Sequence, residues 1–151
     1  MTEERHNPFR GFLDMASEMN RIRQLGMYGY EGGWENRERT HANAWVPDAD
    51  VFARGEDLVV RLVLAGVNRE DIDVTLHDNV LTVSGERKRD LDPEEVTFYV
   101  HELFYGTFRR SMTLPSSVDE SRVSASLDNG MMEITVRGAA APAEPSRIEV
   151  G

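Results

Sequence analysis

Val123-Ser-Ala-Ser-Leu-Asp-Asn-Gly-Met-Met-Glu-Ile-Thr-Val136 decides the fold. It reads as a β-hairpin. Asn129-Gly130 is a two-residue turn signal, because a type I′ turn needs φ > 0 at both central positions. Fixing the turn fixes the register: Leu127 faces Met132, Ala125 faces Ile134 and Val123 faces Val136. Side chains alternate along a strand, so these three apolar pairs share one face. Ser124, Ser126, Glu133, Thr135 and Arg137 occupy the other, which leaves one side wet and one side packed. On spacing alone, such a hairpin fits any β-sandwich.

A second hairpin runs from Ile72 to Gly85. Its turn is Asp78-Asn79, two residues that tolerate a left-handed backbone. Counting back pairs Leu76 with Leu81 and Val74 with Val83, again apolar on apolar. Upstream, Leu58, Val60, Leu62 and Leu64 lie on one face of a further strand, followed by a turn at Ala65-Gly66-Val67. Isolated hairpins are at best marginally stable. Packing their apolar faces together yields an all-β, two-sheet sandwich.

These residues carry a family resemblance. Ala125-Ser-Leu-Asp-Asn-Gly-Met-Met132 resembles the A-x-x-x-n-G-v-L signature that closes the α-crystallin domain of small heat-shock proteins, the Hsp20/α-crystallin family, in its bacterial form. Met131-Met132 stands where the family usually has Val-Leu, a change that loosens packing without altering the fold. Trp45-Val-Pro-Asp-Ala-Asp-Val-Phe52 is similar to the family's W-x-P-x-x-D-v opening, and Pro47, which cannot donate to a ladder, puts this strand at an edge. The second hairpin is similar to D-I-x-V-x-L…N-x-L-T-V-x-G-E. Ala65 departs from the family's Pro-Gly-Val turn but keeps the glycine. The resemblance implies an immunoglobulin-like β-sandwich over residues 44–138. A flexible, partly helical arm over residues 1–43 would precede it, and a short extension over residues 139–151 would follow.

Within that arm, Asn7 can cap a helix and Pro8 suits its first position. Phe9, Phe12, Leu13, Ala16, Met19 and Ile22 recur at helical spacing, and Gly26 is a stop. The glycine-rich run Tyr28-Gly-Tyr-Glu-Gly-Gly-Trp34 is a poor tether. Apolar surface on such an arm is an interaction site or an aggregation hazard. Phe9, Phe12, Leu13, Met15, Met19, Ile22, Tyr28, Tyr30 and Trp34 are therefore the candidate contacts for partner proteins or for assembly.

Between Glu86 and Tyr105 lies a segment longer than an ordinary loop. Val96-Thr-Phe-Tyr-Val100 within it reads as a strand with no obvious partner in its own domain. One reading is a flap folded back on the sandwich. The resemblance implies another: the strand crosses to a second subunit and pairs with its Trp45–Phe52 edge. Trp45, Val46, Val51, Val96, Phe98, Tyr99 and Val100 would then form a dimer interface. Tyr105-Gly-Thr-Phe-Arg-Arg-Ser-Met-Thr-Leu-Pro115 resembles the family's Y-G-x-F-x-R-x-x-x-L-P. Here Arg110 shares a face with Phe108, Met112 and Leu114, and an unpaired buried charge is costly. Arg110 is therefore either paired, in a dimer interface by resemblance, or snorkelling to the surface.

Residues 138–146 are small and Pro-bearing, which reads as a linker. Ile148 and Val150 beyond it match the family's C-terminal I-x-I/V anchor. The expected receiving groove has walls from Val74, Leu76, Val123, Ala125 and Leu127, positions that fit plain core equally well. Ten steps separate Gly138 from Ile148, a reach of at most about 33–36 Å.

Composition narrows function. A net charge of −10 disfavours nucleic acid, whose phosphates need a basic face. With no cysteine there is neither a disulfide framework nor a thiolate metal site. No phosphate-binding loop motif occurs, and the one lysine, Lys88, sits in a charge run. His6, His41, His77 and His101 lack ligand spacing. Asp71, Asp73, Asp90, Asp92, Glu94 and Glu95 fall on polar phases or in loops. The expectation is a non-enzyme with no cofactor, no metal and no membrane span, cytoplasmic by default. By resemblance it is an ATP-independent chaperone that holds unfolding proteins. Its partners would be those clients and itself, as strand-exchanged dimers within a large homo-oligomer. The alternative is a monomeric β-sandwich co-chaperone or adaptor module.

Overall fold

The structure, a computed structural model, describes residues 15–26, 43–115, 117–141 and 147–151. Its strands are β1 (Ala49–Arg54), β2 (Asp57–Val63), β3 (Ile72–His77), β4 (Val80–Arg87), β5 (Gly106–Thr113), β6 (Val123–Asp128) and β7 (Met131–Val136), preceded by a helix, α1 (Met15–Gly26). Two antiparallel sheets result, one in the order β1-β2-β7-β6 and the other β3-β4-β5.

Both expected hairpins form in the expected register. Asn129 and Gly130 take φ of 51° and 76°, and Asp78 and Asn79 take 48° and 65°. All four are left-handed, as a type I′ turn demands. Leu127 pairs with Met132 and Val123 with Val136; Leu76 pairs with Leu81 and Val74 with Val83. Leu58, Val60, Leu62 and Leu64 are buried against Leu81, Val83, Phe108, Met112, Leu114, Ile134 and Val136. Neighbouring strands of the three-stranded sheet crowd Gly85 of β4. A Cβ there would lie 2.0 Å from the Asp71 carbonyl oxygen and 2.7 Å from the Phe108 ring.

Three expectations need correction. First, Trp45–Phe52 is not one strand. Trp45 makes a parallel bridge to Phe108 of β5, whereas β1 begins at Ala49 in the other sheet. Pro47 lies between, and a residue without an N–H interrupts a ladder. Second, Val96–Val100 is not a strand in the single chain. A strand needs a partner for its backbone, and no strand lies beside this segment among the described residues. Third, the described part of the arm is not free, because α1 is bonded to β5 and to the Trp45–Pro47 segment. The expected start of the helix, and Phe9, Phe12, Leu13, Tyr28, Tyr30 and Trp34, lie outside the described residues, as does the side chain of Met15.

The sandwich also runs past residue 138. Ala139 is buried in the core, and the Ala140 N–H donates to the Glu56 carbonyl at 2.9 Å. Counted from Ala141, the tether to Ile148 is seven steps, a reach of about 23–25 Å.

Candidate functional site

Two sheet edges meet along one side of the sandwich. β3 ends the three-stranded sheet and β6 ends the four-stranded one. Arg69, just before β3, donates to the Leu127 carbonyl of β6 at 3.3 Å and bridges this seam. Val74, Leu76, Val123 and Leu127 are half-buried against the core, and Ala125 is exposed. The five groove residues are thus apolar, drawn from facing edges and incompletely covered. Ile148 and Val150 are 85% and 96% exposed and do not occupy the seam in the single chain.

The opposite side is organised around Trp45. Its ring is stacked with Phe104 and tilted against Phe108, with centroids 6.3 and 5.1 Å away, and its indole N–H donates to Gly106. The Arg87 guanidinium lies 4.4 Å over the same ring and donates to the Ala65 and Phe104 carbonyls, so it ties the end of the long loop to its start and to the turn after β2. Burial pushes the Arg87 pKa down, and the nearby Tyr105 phenol offsets part of that. Within the loop, Arg89 packs over Phe98 and Tyr105 and donates to His101 Nε2 at 3.0 Å. An arginine can only donate, so that nitrogen is an acceptor here.

The expected interface residues therefore divide. Trp45 and Val46 are buried within the single chain: the indole fills the core and Val46 lies behind α1. Val51 points to the core. Val96 and Phe98 are half-buried at the loop base. Tyr99 and Val100 are exposed, at 93% and 69%, and the outer edge of β1 is unpaired by any described strand.

Arg110 is 5% exposed and does not snorkel. Nη1 donates to the Pro47 carbonyl at 2.9 Å, and Nη2 lies 3.4 Å from the Glu18 carboxylate of α1. Burial lowers its pKa; Glu18 and Asp48 oppose that, and Arg21 adds to it. In the single chain its charge is thus partnered by Glu18 and the Pro47 carbonyl.

Sequence reasoning missed the face of α1 that makes this contact. Ser17, Glu18, Arg21 and Gln24 turn toward the sandwich, while Met19 and Ile22 are 48% and 65% exposed. The helix is thus docked with its polar side inward. The 17, 21, 24 spacing was visible, but a polar helical stripe ordinarily faces solvent. Among the described residues, no group of three His, Asp or Glu side chains could hold a metal ion, and no helix is long and apolar enough to cross a membrane.

A sandwich of two antiparallel sheets in this order is the fold of the α-crystallin domain in similar small heat shock proteins. The sequence matches the Hsp20/alpha crystallin family over residues 50–151, and the chain belongs to that family of small heat shock proteins, which are generally chaperones of the stress response. It is 37% identical over 107 residues to spore protein SP21 of Stigmatella aurantiaca, covering 71% of this chain and 63% of that one. It is 32% identical over 139 residues to the 16.9 kDa class I heat shock protein 1 of Triticum aestivum, covering 87% and 85%. The fold is similar to a small heat-shock protein of Xylella fastidiosa, with a TM-score of 0.57 at 33% identity, over 71% of this chain and 97% of that one. The matched part of the chain spans about three fifths of the length of several curated relatives.

Proposed function

We propose that this chain is an ATP-independent holdase that binds unfolding proteins and keeps them from aggregating, as a large cytoplasmic homo-oligomer of strand-exchanged dimers. The observation that carries this reading is the mismatch between two apolar surfaces. Ile148 and Val150 stand in solvent at the end of a short tether, and the β3–β6 seam stands half-open. Seating both side chains gives about 1.5–3 kcal/mol each before ordering costs. One such contact is weak, but many repeated symmetrically hold a shell that still exchanges subunits.

The dimer arises when the 96–100 segment leaves its loop and pairs with the Trp45–Phe52 edge of a second copy. Tyr99 and Val100 are already outside, and covering that edge removes an aggregation hazard. The work is then shared: residues 1–43 supply client and assembly contacts, the sandwich from residue 44 through Ala140 the scaffold, and the remainder to residue 151 the link between dimers. Met19 and Ile22, turned outward on α1, are part of the client surface. The Xylella relative is described as having a distinct high order structure, which favours assembly here.

Two measurements test the reading together: particle mass by light scattering, and turbidity of a heat-unfolding enzyme without nucleotide. The expected result is a mass many times 17.1 kDa and suppressed turbidity. A monomer that leaves the enzyme to precipitate would overturn it and favour a single-partner adaptor.

A further inference from the structure

The β3–β6 seam offers a backbone edge as well as apolar walls. The Arg122 carbonyl accepts from the Arg137 N–H at 2.9 Å, so it points into its own sheet. Backbone groups alternate in direction along an edge strand, so those of Val123, Ala125 and Leu127 point outward, into the seam. Three outward residues thus stand in a row along β6.

One of the three is taken. Arg69 reaches across from the other sheet, and its Nη2 donates to the Leu127 carbonyl at 3.3 Å. The backbone that carries Arg69 is fixed on both sides. The Val67 N–H donates to the Leu64 carbonyl at 3.1 Å and the Asp71 N–H to the Asn68 carbonyl at 2.9 Å. The Leu64 N–H donates to the Gly130 carbonyl at 2.7 Å, which ties the same turn to the tip of the β6–β7 hairpin. Lys88 holds Asp71 at 3.1 Å. Among the described residues, no side chain holds the outward groups of Val123 or Ala125, and Ala125 is exposed.

We propose that Arg69 sets the register of the C-terminal anchor: by capping Leu127 it confines Ile148 and Val150 of a neighbouring copy to the Val123 and Ala125 positions. This rests on the anchor reading above. Residues that pair across a ladder share a face, so a tail with Ile148 and Val150 turned into the seam sets their backbone groups against the outward residues of β6. The Arg69 guanidinium fills the place of the donor that a strand would bring to Leu127. Two open positions then match two anchor residues, and a third apolar residue in the tail would find no backbone partner.

The test uses the full chain carrying Ile148→Ser and Val150→Ser, so that its own tail does not compete, and a peptide spanning residues 146–151 of the parent at saturating concentration. Both substituted residues are exposed, so this host keeps its fold. Amide hydrogen exchange along β6 is read by NMR with and without peptide. With Arg69 in place, the peptide should slow Val123 and Ala125 by about tenfold and leave Leu127 unaltered. Arg69→Ala frees the third position, so two registers share the edge. Equal sharing leaves each end of the row open half the time. Protection should then fall to roughly twofold at Val123 and rise to roughly twofold at Leu127, with Ala125 protected throughout. Arg69→Met, which keeps the length and loses the donor, should match Arg69→Ala. The proposal is overturned if Leu127 is slowed while Arg69 is present, if the pattern is the same in Arg69→Ala, or if Arg69→Met behaves as the arginine does; each result leaves the anchor reading intact. If the peptide slows no amide of β6 in any of these proteins, the anchor reading falls with it.

Discussion

Gly85 shows how far one residue can be understood. The V-x-G-E pattern marks it in the sequence without giving the reason. The reason is spatial: a side chain would enter the Asp71 carbonyl and the Phe108 ring, of which the first is backbone and cannot swing aside. Gly85→Ala should therefore destabilise the fold by about 1–3 kcal/mol or more. Gly55→Ala is the control, because Gly55 has a φ of +64° but nothing within 4 Å. Its cost should be backbone strain alone, of roughly 1 kcal/mol. Thermal unfolding of both variants checks the ranking, and equal losses would show that the close approach at Gly85 is unimportant. Arg110 was legible to a different depth. Its apolar phase announced that it had to be paired, but Glu18 lies ninety-two positions away on a helix whose polar face looks solvated, so its partner could not be read.

At the scale of elements, the hairpins were legible and the long loop was not. A two-residue turn and a buried face fix a register locally, which is why Val123–Val136 folds as its letters dictate. The Val96–Val100 segment has strand composition but no strand beside it among the described residues, and composition cannot supply one. The outer face of the larger sheet holds a second long-range device. Glu133 of β7 accepts from Arg61 of β2 at 2.7 Å and from Arg54 of β1 at 3.1 Å, and both guanidinium groups lie over the Phe52 ring. The bond from Arg61 holds the Glu133 pKa below the ordinary glutamate range; desolvation opposes it, and the bond from Arg54 with the charges of both arginines adds to the lowering. A depressed folded-state pKa means that the native chain binds the proton less readily than the unfolded one. The stabilisation is thus complete above the ordinary glutamate range and is lost as pH falls through the folded value. The melting temperature of Glu133→Gln should accordingly lie below the parent's at neutral pH and converge with it on acidification. A gap that persists unchanged into strong acid would mean that the three-strand clamp does not stabilise the sheet.

For the whole molecule, the sequence carried the sandwich because its determinants are short-range. Assembly is expected only through resemblance, since it would depend on surfaces of different copies. The structure sharpens the geometry of the anchor. The core extends through Ala139, so only about 23–25 Å of chain joins the last tethered residues to Ile148. In the assembly proposed above, such a tether would confine the anchor to the seam of a close neighbour and make its effective concentration there high. Residues 147–151 are all exposed, so removing them takes nothing from the core. Truncation after residue 146 should leave the melting temperature of the sandwich unchanged and shrink the light-scattering mass toward that of a dimer. Replacing Ile148 and Val150 with serine should do the same, because the burial belongs to the side chains and not to the tail. If the mass stays that of the parent while the fold stays intact, the β3–β6 seam is not the receiving site, and the contact between dimers lies in residues 1–43 instead.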